Sequence, residues 1–167
     1  MKKFLPCVLV ALSVFSFFPS FAQEGRVPEI KQSTTTLSPV KTAAQLYRVG
    51  GDTLEIVVHI KIHPDHVIFA NVDPAEQHLS TDVKIKAPKG YKKIKGMDKP
   101  VRQQVTTGTN TYVYKGDCVF RQKFKGTVQD DFHVTVQYEC MNEDHEVFQP
   151  QSVEYTFPSE EAVETSK

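Results

Sequence analysis

The clearest pattern along the chain is an alternation of apolar and polar residues with a period of two. Glu55, His59 and Lys61 take one parity of this stretch, and five aliphatic residues take the other: Leu54, Ile56, Val58, Ile60 and Ile62. This alternation predicts a strand with one face in a core, because successive side chains of a strand point to opposite faces. The apolar stretch from Ala43 ends at Gly50-Gly51, so it predicts the first strand of a β-hairpin.

Shorter alternating stretches follow this hairpin at regular spacing. They are Val67 to Ala70, Val83-Ile85-Ala87, Tyr112 to Tyr114, Cys118 to Phe124, Phe132 to Cys140, and Val153-Tyr155-Phe157. Turn residues such as Pro, Gly, Asn and Asp separate them, and no segment has a helical period. Short strands at this spacing without intervening helices predict an all-β fold, an antiparallel sandwich.

The first 22 residues have the pattern of a secretory signal peptide. A basic head of Lys2 and Lys3 precedes an apolar run from Phe4 to Phe18, and Ser20-Phe21-Ala22 follows with small residues at the cleavage positions. The run is shorter than the roughly 20 apolar residues of a spanning helix. We therefore expect cleavage after Ala22, no membrane insertion of the mature chain, and a periplasmic or secreted location.

Composition divides the remainder into three parts. Residues 23–42 are rich in Ser, Thr, Pro and charge, which is typical of a disordered leader. Residues 43–158 carry the alternating pattern and form the predicted sandwich domain. Residues 159–167 are polar and form a predicted tail.

Overall charge argues against whole classes of partner. The chain has 20 Lys plus Arg and 20 Asp plus Glu, so its formal net charge is zero. A broad basic face for nucleic acid or acidic lipid is not expected from this balance. The expected partner is another protein outside the cytoplasm.

Cys118 and Cys140 are the cysteines left after signal removal, and an oxidising compartment permits a disulfide between them. Both take the apolar parity of their strands, so both are expected to face the interior or its rim. Two interpretations remain open at this point. The thiols are either inert small hydrophobic groups, or at least one is accessible with a stabilised thiolate.

Three segments together resemble the N-terminal periplasmic domain of the DsbD family of thiol-disulfide interchange proteins, an immunoglobulin-like β-sandwich. The segments are HPDHVIFAN, VYKGDCVFRQKF and HVTVQYECMNEDHEVFQPQSVEYTF, and the resemblance runs from about Leu46 to Phe157. It implies a module that binds an extracytoplasmic protein, a thiol-disulfide oxidoreductase being one candidate, and exchanges a disulfide with it. It also implies that Tyr112, Val113 and Tyr114 form a cap over the active cysteine, although ordinary strand packing explains the same residues.

The chain departs from that family where the second active cysteine belongs. Cys140 matches the first cysteine of the family's loop, but residues 141–147 contain no cysteine. Three accounts of Cys118 and Cys140 therefore remain open: a permanent structural disulfide, a redox pair in which Cys118 resolves the mixed disulfide of Cys140, or two reduced core thiols.

Polar clusters near these segments suggest other chemistry only weakly. His59 and His63 share the outward parity of one strand, about 13 Å apart along it, and His66 follows after the Pro64-Asp65 turn. We expect exposed histidines, no metal site and no cofactor.

Four polar residues after Cys140 form an acidic cluster that is expected to disfavour its thiolate: Glu143, Asp144, His145 and Glu146.

Overall fold

The computed structural model describes residues 38–105 and 110–164. The predicted signal peptide and most of the predicted leader lie outside these residues. In the described part of the chain no helix is long and apolar enough to cross a membrane. The strands are β1 (Val40–Gly50), β2 (Thr53–Ile62), β3 (His66–Asn71), β4 (Asp82–Lys86), β5 (Lys92–Asp98), β6 (Gln103–Gln104), β7 (Tyr112–Tyr114), β8 (Asp117–Lys125), β9 (Asp131–Tyr138), β10 (Cys140–Asn142), β11 (Gln151–Pro158) and β12 (Val163–Glu164).

These strands form three sheets. The largest has the order β12-β1-β2-β8-β5, the second has the order β10-β3-β7-β6, and the third has the order β11-β9-β4. All pairs are antiparallel except β1 with β12, which is parallel. The prediction of an all-β, immunoglobulin-like antiparallel sandwich is confirmed.

The first hairpin forms as the alternation predicts. Gly50 and Gly51 have φ values of 143° and 54°, which a residue with a β-carbon rarely adopts, so glycine suits both turn positions. β1 and β2 then pair from Leu54 to Ile62, and the five aliphatic residues of β2 are at most 3% exposed. Burial of this row fixes the register, since a slip by one residue would expose it to water.

Aromatic residues join the five-stranded sheet to the three-stranded sheet. Phe124 of β8 and Phe132 of β9 lie in different sheets with ring centroids 5.3 Å apart, and neither ring is exposed. Tyr91, just before β5, packs its edge on Phe132 at 4.8 Å. The core therefore lies between the β1-β2-β8 face and the β9-β4 face, where apolar burial is the main stabilising contribution.

The sequence pattern did not predict β5, β6 or β12. β5 is an edge strand that presents Lys92, Lys93 and Lys95, and charged residues on an edge discourage pairing with other chains. Its register shifts between Ile94 and Asp98, and the buried Gln122 amide donates to the carbonyls of Ile94 and Lys95 at 3.3 Å each. β5 is held by backbone hydrogen bonds and the Gln122 amide. Its sequence therefore has no apolar alternation from which a strand could be predicted.

The ordered domain is longer at both ends than the predicted 43–158. β1 begins at Val40, which is 4% exposed and pairs with Ile62, so part of the predicted leader belongs to the core. After β11, a 3-10 turn spans Ser159–Glu161, and β12 then pairs with β1. The polar composition of these residues did not predict that they are ordered, because hydrogen bonds rather than apolar burial hold Ser159 in place.

Replacing Ser159 by Ala is expected to lower the free energy of unfolding by about 1–3 kcal/mol. The Ser159 hydroxyl donates to the carbonyl of Val128 and accepts from the Asp130 amide, both at 3.1 Å, and the residue is 3% exposed. Alanine would leave both backbone groups without this partner. Denaturant unfolding measures the effect, and the exposed Ser152→Ala is the control; equal stability of the two variants would contradict the role assigned to Ser159.

Candidate functional site

Cys140 lies where the long β9 strand breaks and resumes as β10. Glu139 is the break, and Cys140 then pairs with Ile68 of β3 while Asn142 pairs with His66. The thiol residue is 3% exposed, which agrees with its predicted inward parity. Beyond it the chain turns back, since Met141 bridges Val147.

The loop after Cys140 is a closed turn held by its own hydrogen bonds. The Asn142 amide donates to the Glu146 carbonyl at 3.1 Å, and the Glu146 amide donates to the Asn142 side-chain oxygen at 2.8 Å. His145 sits at the turn with φ of 64°. The Glu143 amide donates to the carbonyl of Asp65 at 3.1 Å, so the loop is fastened to the β2–β3 turn.

Cys118 begins β8 opposite Ile60 of β2 and is also 3% exposed. Its thiol donates to the carbonyl of Lys115 at 3.7 Å. Both cysteines are free thiols in the structure. β8 and β10 belong to different sheets, and a bond between the two cysteines stays a prediction.

Burial sets the chemistry of both thiols. It raises the pKa of Cys118 and the pKa of Cys140 to about 11 each, because a thiolate is poorly solvated there. A hydrogen bond from the Met141 backbone partly lowers the pKa of Cys140, whereas the Asp117 carboxylate raises the pKa of Cys118 further. Burial is the largest cause for both thiols, and the acidic cluster after Cys140 is not among the causes of its shift.

Alkylation of Cys118 in a Cys140→Ser variant is expected to be slow in the native protein. Its pKa near 11, against 9.0 for an unshifted thiol, leaves about one hundredth of the unfolded thiolate fraction at any pH below 9. The native rate should therefore rise about tenfold per pH unit up to about 11. Alkylation quenched at timed intervals and followed by mass spectrometry measures this rate. Equal alkylation rates for the native and the unfolded protein at neutral pH would contradict the prediction.

The residues expected to cap Cys140 lie in the same sheet as the cysteine. Tyr114 of β7 pairs with Ile68, and Ile68 pairs with Cys140, so the three residues form one row across the sheet. Tyr114 is 4% exposed and packs against Phe120 at 5.5 Å, while Tyr112 lies under the Arg102 guanidinium at 4.3 Å. The tyrosines thus pack on the sheet, and Val113 of the same strand is buried.

His59 and His63 are exposed, as predicted, whereas His66 departs from the prediction. β2 ends at Ile62, so His63 leaves the strand face that carries His59, and the Pro64-Asp65 turn brings the rings of His63 and His66 to 5.6 Å. His66 is half-buried and not solvated as expected. Within residues 38–105 and 110–164, no group of three or more His, Cys, Asp and Glu side chains is arranged to hold a metal ion.

A cleft of about 260 Å³ opens beside the Cys140 loop. Val67, Val113 and Met141 give it an apolar floor, and the β2–β3 turn, β6 and the turn at residues 142–145 form its walls. The sequence pattern did not identify His66, Gln103 or Lys115 as part of this cleft, because they come from three separate segments. The three segments of the resemblance do contribute to it, since they contain Val67, Val113 and Met141.

Glu139 beside Cys140 is a buried carboxylate that the sequence pattern also missed. One of its oxygens accepts a short hydrogen bond from the Leu79 amide, and the other lies 3.6 Å from Nδ1 of His78. The His78 ring stacks on Phe69 at 4.7 Å. The contact ties the long β3–β4 connection to the break between β9 and β10, and no local sequence signal predicts a pair 61 positions apart.

Comparison with known proteins gives structural likeness without sequence relatives. No family model and no curated protein matches the chain. The reduced DsbD N-terminal domain of Neisseria meningitidis matches at 12% identity and a TM-score of 0.44, over 70% of this chain and 84% of that one. The same domain in its complex with a PilB N-terminal domain matches at 13% identity and a TM-score of 0.45, over 69% of this chain and 80% of that one.

The N-terminal periplasmic domain of ScsB from Proteus mirabilis matches at 13% identity and a TM-score of 0.48, over 74% of this chain and 47% of that one. Identities and scores at this level do not assign a family. The resemblance carried by the three sequence segments therefore stays a hypothesis about function.

Proposed function

We propose that the chain is an exported, stand-alone module that binds another extracytoplasmic protein and exchanges a disulfide with it through Cys140. Cys118 is the resolving thiol of this scheme. The partner is a protein with a reactive disulfide or dithiol, and a thiol-disulfide oxidoreductase has that chemistry.

The observation that carries this proposal is the position of Cys140. It is the first residue of β10, and Met141 and Asn142, which follow it directly in the chain, line the cleft. A partner segment seated in the cleft would lie against residues 141–143 and 145, directly after the cysteine in the chain. The Met141 backbone also stabilises the thiolate of Cys140, whereas Asp117 disfavours that of Cys118. The pKa of both thiols is raised to about 11, so the scheme assigns the attack to Cys140 because it matches the first cysteine of the DsbD-type loop.

The exchange needs no cofactor. The Cys140 thiol loses its proton and attacks one sulfur of the partner's disulfide, and the partner's S–S bond breaks as a mixed disulfide forms. The partner's other sulfur leaves as a thiolate and takes up a proton. Cys118 then attacks Cys140, which releases the partner with two thiols and leaves a Cys118–Cys140 disulfide. Cys118 and Cys140 lie in strands of different sheets within one core cluster, so the second step joins the two sheets by a disulfide.

A second candidate is a non-catalytic binding or structural sandwich with a permanent Cys118–Cys140 disulfide. Its support is the burial of both cysteines in one core cluster. Such a bond would close a loop of about twenty residues and stabilise the fold by roughly 2–4 kcal/mol. Under this account neither cysteine reacts with a partner protein.

Native reduction separates the two candidates. A redox pair should open with a mild dithiol in the folded protein, whereas a structural bond should resist until the protein unfolds. The measurement is intact mass after alkylation of the exported protein, treated with dithiol in native buffer and in denaturant. Opening in denaturant alone would reject the redox proposal.

A further inference from the structure

His66 and Cys140 are diagonal neighbours on one face of adjacent strands. Cys140 pairs with Ile68, and Asn142 pairs with His66, so residues 66, 68, 140 and 142 share a face. The β-carbons of such diagonal neighbours are about 7–8 Å apart or somewhat less, which a long side chain spans. An imidazole on β3 therefore has the sulfur on β10 within its reach.

The His66 ring has one nitrogen without a role in the fold. Its Nδ1 is buried and makes no hydrogen bond in the structure. Burying a polar nitrogen without a hydrogen-bond partner costs free energy, so a functional role is one explanation for this nitrogen. The ring packs against Phe148 at 5.6 Å, and the Phe148 amide donates to the Cys140 carbonyl at 2.8 Å. These contacts link the imidazole to both ends of the Cys140 loop.

Other titratable groups surround His66. Its ring faces His63 at 5.6 Å, and other titratable groups line the same cleft: Asp65, Lys115, Glu143 and His145. Cys140 itself is too well buried to form much thiolate at neutral pH without a proton acceptor. Histidine is the side chain that accepts a proton in this pH range.

We propose that His66 is the acid–base residue of the exchange reaction at Cys140. This inference rests on the proposed function. Neutral His66 accepts the Cys140 proton as the sulfur attacks the partner's disulfide, and the resulting imidazolium gives that proton to the departing partner thiolate. One S–S bond breaks, one forms, and the proton passes from Cys140 through His66 to the partner. The partner's disulfide is the oxidant.

Reactivity of Cys140 against pH tests this without any partner. The chain is prepared as Cys118→Ser, and its reaction with a small aromatic disulfide is followed by the released aromatic thiol. The rate should rise with pH as the imidazole loses its proton and then level off. His66→Gln should slow the reaction about 10²-fold at neutral pH and leave only the slow rise toward high pH. His59→Gln is the matched control, because His59 is exposed on β2.

Identical pH profiles for the parent and His66→Gln would overturn the proposal. Should His66→Gln fail to fold, the parent alone still decides the matter: the midpoint of its rate profile must coincide with the NMR titration midpoint of the His66 ring. A difference of more than about one pH unit overturns the assignment.

The outcome is distinguishable from failure of the proposed function. Reactivity that depends on His66, in a chain that never captures a protein, would reject the exchange function and leave the acid–base role intact. Capture of a partner with unchanged reactivity in His66→Gln would reject the acid–base role alone.

Discussion

Replacing Cys118 by Ser is expected to turn the exported chain into a trap for its partner. Without the resolving thiol, the mixed disulfide formed by Cys140 has no internal route to release, so it should accumulate roughly tenfold over wild type. Cys140→Ser should form no such complex, because the proposed scheme assigns the attack on the partner to Cys140 and only the later resolving step to Cys118. The measurement is a non-reducing gel of the exported fraction after acid quenching and thiol blocking.

The control for this trap is the double variant Cys118→Ser/Cys140→Ser. It carries the same substitution at residue 118 and lacks both sulfurs, so any complex that remains is not held by a disulfide. A complex of equal abundance in Cys118→Ser and Cys140→Ser would contradict the assignment of Cys140 as the attacking thiol. Absence of any complex together with lower stability of both single variants would favour the structural disulfide.

Phe132→Ala is expected to destabilise the domain by about 3–5 kcal/mol, the usual cost of removing a buried phenylalanine ring. The ring is fully buried and touches both Phe124 and Tyr91, so its loss opens a cavity between the two facing sheets. A loss of this size is a large fraction of the stability of a small domain. Denaturant unfolding with the free energy extrapolated to water gives the value.

Val101→Ala is the matched control for the core substitution, since Val101 is 90% exposed. Its effect should stay within about 0.5 kcal/mol of wild type. A small effect of Phe132→Ala, comparable to that of Val101→Ala, would show that the β9 face and the β8 face do not share a core.

The strong strands of the fold were predictable because burial on one face imposes a period of two. β2 shows this most clearly, and its predicted parity matches the buried row from Leu54 to Ile62. β5 was not predictable, since its lysines pair through the backbone at a sheet edge. The same limit applies at Ser159, where hydrogen bonds replace hydrophobic burial as the cause of order.

The candidate site was predictable only where it lies within one segment. Parity placed both cysteines inward, and the structure confirms their burial. The partnership of His66 with Cys140 depends on the register of β3 against β10, which joins residues more than 70 positions apart. The same is true of Glu139 with His78. A local pattern contains no information about such pairings.

The most direct test of Cys140 as the exchanging thiol is the intact mass of the fully reduced native chain during incubation with oxidised glutathione. The account predicts a single glutathione adduct on Cys140 that appears first and then decays as a Cys118–Cys140 disulfide forms. In Cys118→Ser the same adduct should accumulate and persist. An adduct that forms only after denaturation, or at equal rates on both cysteines, would contradict the account.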